Sequence, residues 1–147
     1  MEVRREFFNY EEKQDGNLCP ILSDLITNTN KVGEEMSHDY DPLEEAVANN
    51  DYSSIDLAST KDTFQKGTDK YKEFLSQLDN VQVPAKELGR HSILKEAYAD
   101  YVKGCQDMVD SIKADTIEAD AFNEAGKLQQ DSIERVFKTA KKIMMSM

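Results

Sequence analysis

Two histidines, His38 and His91, and two cysteines, Cys19 and Cys105, are the side chains best suited to metal ligation or nucleophilic chemistry in this 147-residue chain. Glu35 and His38 have the ExxH spacing with which a helix presents two ligands to a di-iron centre. Such a centre needs a second pair and further glutamates on facing helices. His91 does not repeat the pattern, because Glu87 stands four residues before it in "ELGRH". The cysteines are far apart and form no CxxC pair, so a structural zinc site is not expected. Buried free thiols are favoured over a disulfide.

Nucleophilic catalysis by Cys105 would require an activating base and some exposure. On one helix, His91 and Cys105 would be separated by roughly 21 Å, almost four turns. They cannot form a pair within that helix. The segment "HDYDPLEE" has several oxygen donors but lacks the DxDxDG loop of a calcium site. Phosphate-binding, dinucleotide-binding, serine-elbow and HExxH patterns are also missing. These residues predict no enzyme activity, no cofactor and no metal.

The elements that must carry these residues read as helices. Glycine (6) and proline (3) are sparse and charged residues make up 32% of the chain, which favours long polar-faced helices over a sandwich. Leu94, Tyr98, Tyr101, Cys105, Met108 and Ile112 alternate at spacings of four and three, the apolar stripe of a packed helix. Gly104 inside that stripe costs about 1 kcal/mol against alanine, which close approach of a neighbour would offset. Leu57, Phe64, Tyr71 and Leu78 recur at sevens in the helix before, capped by Ser53 or Ser54. Pro84 can open the next helix. A last helix is expected from the capping box of Asp115 and Glu118 through Ile117, Ala125, Ile133, Val136, Ala140 and Ile143.

The first third reads less regularly. Leu18, Leu22, Leu25, Thr29, Val32 and Met36 predict a helix, with Pro20 in its first turn. Val3, Phe7, Phe8 and Tyr10 form a short amphipathic arm before "QDGN". Residues 37–53 read as an irregular crossover holding one short helix from Asp41-Pro42 to the Asn49-Asn50 pair. The expected fold is therefore all-α: an antiparallel four-helix bundle with an N-terminal arm helix and one long acidic crossover. Its parts are 1–16 (arm), 17–36, 37–53 (crossover), and long helices over 54–80, 84–113 and 116–146, all in one domain.

The net charge is −11. That balance argues against binding nucleic-acid phosphate or an anionic membrane surface. No apolar run is long enough to span a membrane, and the N-terminus lacks the apolar core of a secretory signal. A cytoplasmic protein is expected, and any export must use a route without a cleaved signal peptide. Residues 33–62 hold nine acidic residues and one lysine, a local balance of −8. Beside this belt stand aromatics outside the three clearest helices. A protein-binding surface is accordingly expected from Phe7, Phe8, Tyr10, Glu34, Glu35, Tyr40, Asp41, Glu44, Glu45 and Tyr52. The same aromatics would equally serve to cover the ends of the bundle, and the arm's phenylalanines could be covered by a second copy.

"YDPLE", with Tyr40 and Glu44, and "YSSID", with Tyr52 and Asp56, match the YxxxD/E form of a type VII export signal. With the long antiparallel helices, they make the chain resemble the WXG-type and LXG-associated small helical proteins of type VII secretion in Gram-positive bacteria. No WXG turn is present; "VQVPAKELG" stands at the hairpin. The resemblance implies an adaptor or chaperone-like helper that pairs with another helical protein. The alternative is an acidic immunity or inhibitor protein that blocks a basic protein site, or, less favoured, a carboxylate-bridged metal bundle.

Overall fold

A computed structural model describes the backbone of residues 10–146 and the side chains of residues 18–146. Four helices account for most of it: α1 (Tyr10–Asn49), α2 (Leu57–Asn80), α3 (Leu88–Ser111) and α4 (Ala119–Ser146). A single 3-10 turn, Ala85–Glu87, leads into α3. Among the described residues there is no strand, only an isolated bridge between Ile112 and Ile117. The fold is an all-α four-helix bundle, as the periodicity predicts.

The core shows how the helices run. One cluster joins Leu18, Leu22 and Leu25 of α1 to Leu78 of α2, Leu94 of α3 and Ile143 of α4. The other joins Leu43, at the far end of α1, to Leu57, Val109 and Phe122. Early residues of α1 thus meet the end of α2, the start of α3 and the end of α4. Neighbouring helices are antiparallel, and α4 closes back on α1. The most extensive interface is α3 on α4, and that of α1 on α4 is much smaller. At the first, Gly104 lets the backbones approach: a Cβ there would lie 3.1 Å from the Gln129 amide nitrogen.

The structure corrects the first third of the sequence reading. From Tyr10 to Asn49, the end of the expected arm, the helix over 17–36 and residues 37–49 of the expected crossover form one 40-residue helix, α1. Residues 1–9, with most of the expected arm, lie outside the described residues. Pro20 and Pro42 both lie inside α1. An interior proline costs about 3 kcal/mol through a lost hydrogen bond and crowding. The carbonyl that Pro42 deprives of a partner belongs to the exposed His38, where water can replace it. Continuing the helix buries Leu43 completely and Ala46 almost completely, with Val47 and Tyr40 packed beside them. One buried leucine contributes about 1.5–3 kcal/mol, so this face offsets the proline.

α1 does end at the asparagine pair. Asn50 adopts a left-handed φ of 51°, its N–H donates to Val47 O (3.2 Å), and the Asp51 N–H reaches Ala46 O (3.0 Å). This double closure is a Schellman motif with asparagine in the position usually held by glycine. The crossover is thus short, residues 50–56. Asp56, rather than Ser53 or Ser54, caps α2 by accepting from the Ser59 amide at 3.0 Å. α4 begins at Ala119, not at the expected capping box. Residues 112–117 instead form a tight loop, bent at Ala114 and Asp115 and closed by the bridge between Ile112 and Ile117, which are both buried beneath the bundle's end.

Candidate functional site

Helical spacing, once it covers residues 34–49, reorganises the acidic belt. Glu34, His38, Asp41 and Glu45 recur at four, three and four, so they share one stripe of α1. All four are exposed, and they lie opposite the buried Val32 and Leu43. Glu35 and Glu44, also exposed, flank the stripe. Glu35 meets Lys70 of α2 at 3.7 Å across solvent-accessible surface, a pairing of little energetic weight. From Glu34 to Asn49 the helix holds six carboxylates and neither lysine nor arginine. The stripe is therefore a strip of negative potential with a histidine at its centre.

The aromatic half of the expected surface is placed differently. Tyr40 is half-buried, its ring stacked on that of Phe122 with centroids 6.1 Å apart and tilted against that of Phe64 at 6.5 Å. Its hydroxyl donates to Glu44 Oε2 at 3.2 Å. Burial, reinforced by the Glu44 charge, pushes that phenol up to about 12. Tyr52 is half-buried against the cluster that holds Leu43. These two rings cover the end of the core. Phe7 and Phe8 lie outside the described residues; Tyr10 is the first residue of α1, its side chain outside the described set. The structure aligns Glu34, Asp41 and Glu45 on one face of α1 with Glu35 and Glu44 at its flanks, and packs Tyr40 and Tyr52 against the core instead.

His91 and Cys105 are structural. The His91 ring nitrogen Nε2 donates to the Leu78 carbonyl at 2.9 Å, satisfying a carbonyl in the last turn of α2 from the first turn of α3. Burial holds its pKa below the usual 6.5. Cys105 is buried, and burial pushes its thiol up to about 12, away from the thiolate that a nucleophile needs. Cys19 and Cys105 form no disulfide. Among the described residues, no group of three or more His, Cys, Asp or Glu side chains is placed to hold a metal ion.

Two polar networks escaped sequence reasoning. In the core, the Tyr101 hydroxyl donates to the Tyr71 hydroxyl, which donates to Thr29 O, both at 3.3 Å. Thr29 Oγ1 and the Tyr98 hydroxyl meet at 2.8 Å. Burial raises all three phenols. Heptad positions marked these tyrosines as core, but the partner on α1 could not be read from spacing. At the bundle's end, the Glu87 side chain is only 1% exposed; it accepts from the Ser146 hydroxyl (2.5 Å) and Arg90 Nη1 (3.1 Å). The Ser146 hydrogen bond is the main reason its carboxyl is held below the usual range. Comparison with known protein families, curated proteins and solved structures finds no match to this chain.

Proposed function

We propose that this protein is a non-enzymatic interaction module whose exposed acidic stripe on α1 docks against a basic surface of another protein. The observation that carries the reading is the alignment of Glu34, Asp41 and Glu45 on one exposed helical face, with no lysine or arginine on α1 from Glu34 to Asn49 and Lys31 the one basic residue a turn before it. Carboxylates aligned at helical spacing raise the potential where a partner's lysines and arginines approach, which acts chiefly on association rate and orientation. Because Tyr40 and Tyr52 are committed to the core, an electrostatic blocker of a basic protein site, as in an immunity or inhibitor protein, is better supported than a hydrophobic helix-pairing helper.

The test begins with a photo-crosslinking residue at position 48, beside Glu45, in the native cell. The captured partner is purified and its association rate measured over a range of salt. The rate should fall steeply as the screening length shrinks from about 10 Å at 0.1 M. The triple variant Glu34→Lys, Asp41→Lys, Glu45→Lys should melt like wild type and lose at least about tenfold in affinity. A folded triple variant that binds undiminished sinks the reading.

A narrower version, a helper in type VII export, draws on the bundle and on Tyr40 and Glu44 standing one helical turn apart. It requires secretion from a Gram-positive host that depends on Tyr40. Retention of the wild type in the cell, or undiminished export of Tyr40→Ala, would refute it.

A further inference from the structure

Where the two core clusters meet, the packing leaves a pocket of about 180 Å³ to which all four helices contribute. Its wall is largely apolar, with Met36, Phe64 and Met108 among its residues. Phe64, Cys105 and Met108 are buried, whereas Ser37, Tyr40 and Gln129 are half-buried and mark where the pocket meets solvent. A dry apolar cavity of about 150 Å³ is enough to admit benzene. The space here suits one six-membered ring with a small substituent.

The polar atoms in the wall define what that substituent must be. Each hydroxyl has already given away its proton: Ser37 to Glu34 O (2.7 Å), Thr68 to Phe64 O (2.8 Å), Tyr101 to Tyr71, and Tyr40 to Glu44. The Gln129 amide nitrogen donates to Gly104 O and to the Met108 sulfur. Hydroxyl lone pairs remain, while the only other donor is the weak S–H of Cys105. A guest that brings its own donor can use those lone pairs. A carboxylate would find no strong donor inside, and burying it unpaired is costly. The exposed Glu34, Glu35 and Asp41 on α1 further disfavour an anion. A cation would find no carboxylate in the pocket wall.

We propose that this pocket is a binding site for a neutral, single-ring apolar molecule carrying one hydrogen-bond donor, of the phenol class. The site is independent of the acidic stripe and stands or falls separately from it.

The experiment titrates the full chain with phenol, toluene and benzoate, following amide and methyl resonances of residues around the pocket by NMR. Phenol and toluene should give saturable shifts at Met36, Phe64 and Met108, and benzoate none. Thr68→Val with Ser37→Ala keeps the shape but removes two acceptors. It should lower the ratio of phenol to toluene affinity by about two- to tenfold, the worth of one neutral hydrogen bond. Cys105→Met fills the space and should abolish saturable binding of both rings. If that variant does not fold, the Thr68/Ser37 pair, checked by its melting curve, still decides. Benzoate binding comparable to phenol, an unchanged ratio in the double variant, or no saturable shift by either ring overturns the assignment.

Discussion

Two glycines in one helix provide a sharp test of the packing. A Cβ on Gly104 would lie 2.9 Å from Gln129 Cγ, 3.1 Å from the Gln129 backbone nitrogen and 3.3 Å from the Ala125 carbonyl oxygen. The side chain can move, but the two backbone atoms belong to α4 and yield only if the helices separate. A Cβ on Gly89, also in α3, meets nothing within 4 Å. Alanine in a helix gains up to about 1 kcal/mol over glycine at either position, somewhat less near an end. At Gly104 the gain is opposed by about 1–3 kcal/mol of overpacking. Separating the helices also stretches the Gln129 Nε2 hydrogen bond to Gly104 O (3.0 Å), worth about 0.5–1.5 kcal/mol. Gly104→Ala should therefore destabilise by about 1–2 kcal/mol, while Gly89→Ala stabilises by about 0.5 kcal/mol. Urea denaturation followed by circular dichroism reads both. If Gly104→Ala is as stable as Gly89→Ala, α3 and α4 do not approach as closely as described, and the account of their interface fails.

Three further outcomes test other parts of the fold. Because the folded chain holds His91 neutral, the unfolded chain binds more protons once pH drops below the ordinary 6.5. Stability should decline as pH falls through that value, and His91→Leu should flatten the decline while costing about 1–3 kcal/mol at higher pH, both read from urea midpoints. Cys105, its thiol raised to about 12, should resist iodoacetamide in a Cys19→Ser background and react only as fast as urea opens the bundle. Prompt alkylation without urea would contradict its burial. Pro42→Ala should stabilise by about 2–2.5 kcal/mol, the interior-proline penalty less the restriction lost from the unfolded chain. No gain in thermal or urea denaturation would mean that residues 37–49 are not one helix with residues 10–36.

The last of these bears on what could be read from the sequence. The stripe through Leu94, Tyr98, Cys105 and Met108 was legible because no proline and only Gly104 interrupts it, and these members are all buried. The same alternation runs through α1: Leu25, Thr29, Val32 and Met36 continue to Tyr40, Leu43 and Val47 at fours and threes. Pro42 obscured it, because a local breaker is read before the packing that overrides it. Leu43 shows which effect wins, since its complete burial is available only if the helix passes the proline. At α4 the error ran the other way: the capping signal of Asp115 and Glu118 is local, and burial of Ile112 and Ile117 outweighs it. The partner of His91 had no signal at all, because every residue carries a carbonyl and only the turn between α2 and α3 selects that of Leu78. For the candidate site the consequence is direct. Composition located the acidic belt, but its shape depends on Pro42. In a crossover, Glu34, Asp41 and Glu45 would be unrelated surface charges; in a continuous helix they form one aligned face with a common direction of attraction. The interaction proposed for α1 is therefore only as sound as the helix through Pro42, and stability measured on Pro42→Ala tests both.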